Sequence, residues 1–216
     1  MIAMNVLVIG ANGKTGKHVI SSLVNSSQHF TKAMIRKAEQ IDTMEDLGAK
    51  PLVGDLEDDF SYVFDEVNAV IFAAGSGSGT GSDKTTAVDE QGAIKAIDYA
   101  KQKGLDRFIM LSSMGADTPS IGPDGLQHYL EAKGKADQHL IESGLNYTIV
   151  RPGALVDGEK TGKIIASSSI EDKSGSITRG DVADVLTACL TASETYHKTF
   201  EILNGDTPIN EALKKI

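Results

Sequence analysis

The sequence predicts an α/β protein built on one doubly wound parallel sheet with helices on both faces. Strand-like apolar runs recur at 5–9, 32–36, 50–53, 68–73, 107–112, 146–150 and 199–203, with helical stretches between them. That alternation is the rhythm of a parallel sheet joined by crossovers. The runs at 68–73 and 107–111 are continuously apolar rather than alternating, as expected of strands covered on both faces. The first run empties directly into Gly10, Gly13 and Gly16, spaced three apart. Right-handed crossovers then give about seven strands in the order 3-2-1-4-5-6-7.

Each element has a local reason. After the first strand, Gly10 allows the tight turn, Gly13 a close approach of backbone to a pyrophosphate, and Gly16 the close packing of the next helix. The helix beginning near Lys14 aims its unpaired N–H groups and the positive end of its dipole at the same place. The second strand of an NAD-binding unit usually ends in an acid that binds the ribose hydroxyls. Here that end reads Ala33-Met34-Ile35-Arg36-Lys37. Arg36 offers a planar fork to a 2′-phosphate with Lys37 as a supporting charge, which favours NADP over NAD; nearby Glu39 is the residue most able to spoil that reading. Gly54-Asp55-Leu56, after the third strand, presents a carboxylate or backbone group and an apolar side chain to an adenine, or a simple helix N-cap. The Gly/Ser-rich stretch 75–82 follows the fourth strand and reads as a loop beside the cofactor.

Helices are expected at 88–103 and 126–143, closed by Gly104 and Gly144. The second carries Tyr129 and Lys133, four apart and therefore on one face. A phenol is a poor base at neutral pH, and a nearby ammonium favours the phenolate. Ser113, at the end of the fifth strand, is placed to hydrogen-bond a substrate carbonyl or the tyrosine oxygen. Without the glycine loop these would read as a packed aromatic, a surface cation and a strand cap. A helix start is expected at Arg179-Gly180-Asp181, with Asp181 helping to cap it and Arg179 either facing the cleft or sitting at that terminus.

Composition narrows the function. The 216 residues, 40% hydrophobic, suit one domain over 1–216, with a small substrate-covering portion from about 153–180 and 204–216. Thirty acidic against 21 basic residues give a net charge of -9, which argues against nucleic-acid or anionic-membrane partners. The lone Cys189 lies in an apolar helical pattern and reads as a core thiol. The five histidines show no close ligand spacing, so no metal is expected. Neither a membrane-spanning run nor a secretory leader is visible, and the expected location is cytoplasmic.

Together these residues resemble the extended or atypical short-chain dehydrogenase/reductases, and among them the small NmrA-like NAD(P)-binding proteins described as epimerases or dehydratases. The resemblance runs over almost the whole chain through Gly10-x-x-Gly13-x-x-Gly16, Arg36, Gly54-Asp55-Leu56, Ala73-Ala74-Gly75, Leu111-Ser112-Ser113, Tyr129-x-x-x-Lys133 and Arg151-Pro152-Gly153. It implies a Rossmann-like fold in which Gly10, Asn12, Gly13, Lys14, Thr15 and Gly16 surround the pyrophosphate and Arg36 meets the ribose phosphate. It further implies that Asp55 and Leu56 flank adenine, and that Ala73, Ala74 and Gly75 line the ribose passage. Pro152, Gly153, Ala154 and Leu155 would approach the nicotinamide, and Ser112 would also touch the cofactor. Ser113, Tyr129 and Lys133 would be the catalytic trio, Lys133 also binding the nicotinamide ribose. The residues after Gly153 are too few to grip a nucleotide-sugar as larger relatives do, so the expected activity is NADP(H)-dependent reduction of a small carbonyl or quinone-like compound by a monomer or homodimer. A non-catalytic NADP sensor, or an epimerase or dehydratase with bound NAD(P), are the competing readings.

Overall fold

The computed structural model describes residues 3–77 and 81–216. Residues 78–80 of the Gly/Ser-rich stretch and residues 1–2 lie outside the described residues. The first half alternates β1 (Asn5–Ile9), α1 (Lys14–Ser26), β2 (Phe30–Ile35), α2 (Ile41–Asp46), β3 (Lys50–Val53) and β4 (Ala69–Phe72). Then come α3 (Ser82–Lys84), a π-helical segment Thr85–Gly92, α4 (Ala93–Gln102), β5 (Arg107–Leu111), α5 (Asp124–Glu142) and β6 (Asn146–Pro152). The chain closes with β7 (Ala154–Val156), β8 (Lys163–Ser167), β9 (Ser176–Thr178), α6 (Arg179–Ala188), β10 (Lys198–Asn204), β11 (Thr207–Pro208) and α7 (Ile209–Leu213).

Among the described residues the main sheet has nine strands in the order β11-β8-β10-β6-β5-β4-β1-β2-β3. From β3 to β10 every pairing is parallel, which is the expected order 3-2-1-4-5-6-7. The extra strands β8 and β11 extend it antiparallel from β10. β8 arises from the stretch 157–176, whose polar composition hid it; only Ile164 is fully buried, while Ile165 faces solvent at 49% exposure. β7 and β9 form a separate two-stranded parallel pair.

Period-two alternation explains why both faces need helices. In β1, Val6 and Val8 join one core with Val19, Ile20 and Leu23 of α1 and Val182, Val185 and Leu186 of α6. Leu7 and Ile9 join the other, with Ala93, Ala96 and Ile97 of α4 and Ala136 and Leu140 of α5. Register brings the strand ends level: Ile9 pairs with Met34 and with Phe72, and Leu111 pairs with Val150. The residues just past those ends therefore share one sheet edge, where ligands of such sheets bind.

The fully buried Cys189 ends α6, and burial pushes its thiol up to about 12, so it is an unreactive packing group as expected. Its carbonyl accepts from Arg107, which is 3% exposed and whose pKa burial lowers to about 10. The segment expected as a helix over 88–103 instead opens with π-helical turns up to Gly92. Such wide turns recur at functional sites.

Candidate active site

At one half of the sheet edge, backbone defines the space. Gly10 has φ +84°, and a Cβ there would lie 2.5 Å from the Ala74 amide nitrogen. At Gly16 a Cβ would lie 2.1 Å from the Gly10 carbonyl oxygen, so only glycine lets α1 pack this close. Gly13 differs: a Cβ would approach only the Gly10 carbonyl, at 3.2 Å, and the residue lines an open cavity of about 390 Å³. Gly13 is also the N-cap of α1 and supplies no side-chain cap, and the first turn carries no acid. The orphan N–H groups of that turn are left for an anion, so the loop fits a pyrophosphate.

Nine of the residues singled out in the sequence line this cavity: Gly10, Asn12, Gly13, Arg36, Asp55, Leu56, Ala73, Ala74 and Gly75. Gln40, Lys84 and Val88 are additions that the sequence did not announce. The Gln40 side-chain oxygen accepts the Arg36 and Lys37 amides at 3.1 and 3.2 Å, fixing the chain as it leaves β2. Arg36 is exposed on the cavity wall and its guanidinium has no acidic partner among the described residues. Glu39 instead takes Lys37, at 3.3 Å. Lys37 is thus drawn away from the role of supporting charge, and it does not line the cavity. The Asp55 carboxylate accepts the Glu57 amide at 3.0 Å, a turn of the kind its sequence also allowed, and Leu56 is largely core.

Thr15 and Gly16 lie buried in the first turn of α1, while Lys14 reaches out to Asp157 at 2.9 Å. Asp157 also pairs with Arg179 at 2.7 Å, and these two cations hold its carboxyl below the usual carboxylate range. The α6 cap is made by Thr178, whose hydroxyl accepts the Asp181 amide; Asp181 is fully buried and its carboxylate gathers the Thr161 and Gly162 amides. Asp181 helps cap the helix, as expected, by accepting the Thr178 hydroxyl at 2.8 Å, and it also pins the loop after β7. Glu201 does the same for the loop after β8, accepting from the Ile170 amide and Lys173. Pro152, Gly153, Ala154 and Leu155 lead from β6 into β7, the Ala154 amide donating to the Gly175 carbonyl at 3.3 Å, and Gly153 is hemmed by Leu203 and the Gly175 carbonyl, 2.4 and 2.7 Å from where a Cβ would stand.

In the other half, side chains define the space. Tyr129 and Lys133 meet on one face of α5, with the ammonium 6.0 Å from the ring centroid. Lys133 is 3% exposed and donates to the Leu111 carbonyl at 3.0 Å. It also faces Asp89, fully buried on the π-helical segment, at 3.6 Å. The second Asp89 oxygen accepts the Ser76 amide at 2.9 Å. Asp89 therefore connects the lysine to the cavity wall, where Gly75 and Ser76 lie. Sequence reading missed it, although the signal was there: Asp89 continues the Ala93, Ala96, Ile97 and Ala100 stripe that α4 buries.

Ser113 is half-buried, and its hydroxyl donates at 3.3 Å to the Met114 carbonyl rather than to Tyr129. Ser112 was expected to bind the cofactor, and its hydroxyl is turned inward onto buried Asp137 at 2.8 Å. His128 contacts the Thr86 hydroxyl and the Ser82 carbonyl at 3.1 and 3.2 Å, which ties α5 to the segment after the Gly/Ser-rich stretch. Among the described residues no cluster of His, Cys, Asp or Glu is arranged to hold a metal, and no helix is long and apolar enough to cross a membrane.

A glycine loop, an anion-ready helix terminus and a cleft at the carboxyl ends of parallel strands define a dinucleotide-binding protein of the Rossmann type. Comparison with known proteins agrees: the NAD(P)H-binding family matches residues 10–193, and the chain belongs to it. This upholds the resemblance to the NmrA-like short-chain dehydrogenase/reductases. The chain is 41% identical to the uncharacterized sugar epimerase YhfK of Bacillus subtilis, over 99% of this chain and 100% of that one. A Bacillus halodurans structure with the provisional designation NAD-dependent epimerase/dehydratase superposes with a TM-score of 0.96 at 47% identity, covering 99% and 100% of the two chains. The Escherichia coli anaerobilin reductase ChuY superposes at 0.78 with 25% identity, covering 94% and 98%.

Proposed function

We propose that this protein is an NADPH-dependent reductase of a small carbonyl or quinone-like compound, and that Tyr129, Lys133 and Ser113 act on that compound. The observation that carries the reading is the buried Lys133–Asp89 pair, which holds an ammonium beside Tyr129 and abuts the cavity wall at Ser76. When bound, NADPH supplies the hydride. Tyr129 then delivers a proton to the carbonyl oxygen, Ser113 turns its weakly held hydroxyl toward the same oxygen, and Lys133 stabilises the charge left on the phenol. Asp89 keeps the lysine in place. The Arg36 guanidinium, which meets no acid among the described residues, supports NADPH over NADH, because a planar fork left unpaired suits a 2′-phosphate.

The name of ChuY supports reduction, whereas the two Bacillus relatives carry epimerase names. An epimerase would return its hydride and show no net NADPH oxidation, and a sensor would bind without turnover. NADPH oxidation with a panel of aldehydes, ketones and quinones is the test. Tyr129→Phe should lower the observed rate by about 10²- to 10⁴-fold while leaving NADPH binding intact. An unchanged rate would remove Tyr129 from the chemistry.

A further inference from the structure

Tyr129, Lys133 and Asp137 follow one another at intervals of four along α5, so a single helix face carries all three. Asp137 is 2% exposed. One of its oxygens receives the Ser112 hydroxyl at 2.8 Å and both Nε and Nη2 of Arg151 at 3.0 Å. Ser112 immediately precedes Ser113 at the end of β5, and Arg151 immediately precedes Pro152 at the end of β6. The same two strand ends are stitched by the Ser112 amide to the Val150 carbonyl at 2.8 Å and the Met114 amide to the Pro152 carbonyl at 3.0 Å. Successive turns of α5 thus grip the last residue of β5 and the one after it, Lys133 holding the Leu111 carbonyl and Asp137 holding Ser112.

We infer that Asp137 is a positioning residue for the reductase reaction: it sets Ser113, two residues past the end of β5, against Tyr129 and Lys133 on α5, and thereby the gap in which the substrate carbonyl is held. The inference rests on the reductase reading above. Stability alone does not account for this carboxylate. Burial pushes its acidity toward the neutral form, outweighing the attraction of Arg151 and the Ser112 hydrogen bond. Its other oxygen is buried without a hydrogen bond, among the described residues, and both features disfavour an ionised group at that place. What the group supplies is geometry, since three bonds on one oxygen fix α5, β5 and β6 together.

The test compares Asp137→Asn and Ser112→Ala with the natural protein for kcat, KM, NADPH affinity and thermal midpoint. Asp137→Asn should lower kcat about 30- to 100-fold, as a misplacement of roughly 1 Å does, with NADPH affinity within about 2-fold. Ser112→Ala removes one tether and keeps the Arg151 pair, so kcat should fall about 3- to 10-fold in a protein that still folds. A kcat within about 2-fold of natural in both variants overturns the inference, and so does a parallel loss of kcat and NADPH affinity, which marks general loosening. If the natural protein reduces nothing in the panel, the reductase reading fails by itself, and the positioning claim is judged on carbon-labelled tyrosine NMR. The Tyr129 resonance should then move in both variants while Tyr62 and Tyr99 stay fixed; a Tyr129 resonance that stays put overturns it.

Discussion

The glycine-loop end of the cleft and the end proposed for the reaction are held in place by different means. Around Gly10, Gly13 and Gly16 the shape follows from side chains that are missing, and the contacts run between backbone atoms close together in the chain or on the adjacent strand. Around Tyr129 it follows from buried charges, Lys133 with Asp89 and Asp137 with Arg151, drawn from different helices and strands. A glycine loop keeps its shape whether or not a ligand neutralises it. A buried ion pair keeps its shape only while both partners are present, because each charge alone is costly in a poorly solvated place.

The contrast can be broken most directly at Asp89. Asp89→Ala should leave Lys133 buried without its counter-charge and cost about 3–5 kcal/mol in denaturant unfolding, with activity lost in whatever folds. A loss below about 1 kcal/mol would mean that the reaction end does not depend on paired charge. At the nucleotide end, Gly16→Ala sets a methyl against the Gly10 and Ala11 carbonyls, 2.1 and 2.8 Å away. The expected cost is about 3 kcal/mol, with NADPH affinity falling as the loop is displaced; near-natural unfolding and affinity would show that α1 can shift. The smallest contrast lies between two adjacent cations. Arg36→Ala should weaken NADPH by about 10- to 100-fold and leave NADH nearly unchanged, whereas Lys37→Ala, which removes a lysine paired on the surface with Glu39, should change either affinity by less than about 2-fold. Tighter binding of NADH than NADPH would remove the 2′-phosphate argument altogether.

These expectations divide along the line of what could be read in advance. The glycine loop was legible because each glycine answers to atoms a few residues away, or to the strand beside it. The central order of strands was legible because continuous apolar runs demand cover on both faces. β8 was not, because an antiparallel strand at the margin of the sheet buries so little that its sequence resembles a polar loop. Arg36 was read from its place after β2, but the fate of Lys37 hung on which neighbour Glu39 would choose. Ser112 was placed near the cofactor by its position in the chain, and the structure spends its hydroxyl on Asp137. Asp89 and Asp137 left a trace, since Asp89 continues an apolar helical stripe and Asp137 shares a face with the buried Lys133, yet that trace gives no partner.

By itself, then, the sequence determined the doubly wound sheet, the anion-ready loop at its edge, and the Tyr129 and Lys133 pair, since period and short spacing govern all three. Only the tertiary structure decided that Lys133 faces Asp89 across a π-helical segment, that Asp137 binds two strand ends to α5, and that Arg36 has no acidic partner among the described residues while Lys37 pairs with Glu39. Those outcomes depend on which charges meet once the helices have packed, and Coulomb attraction in a buried place acts through space rather than along the chain.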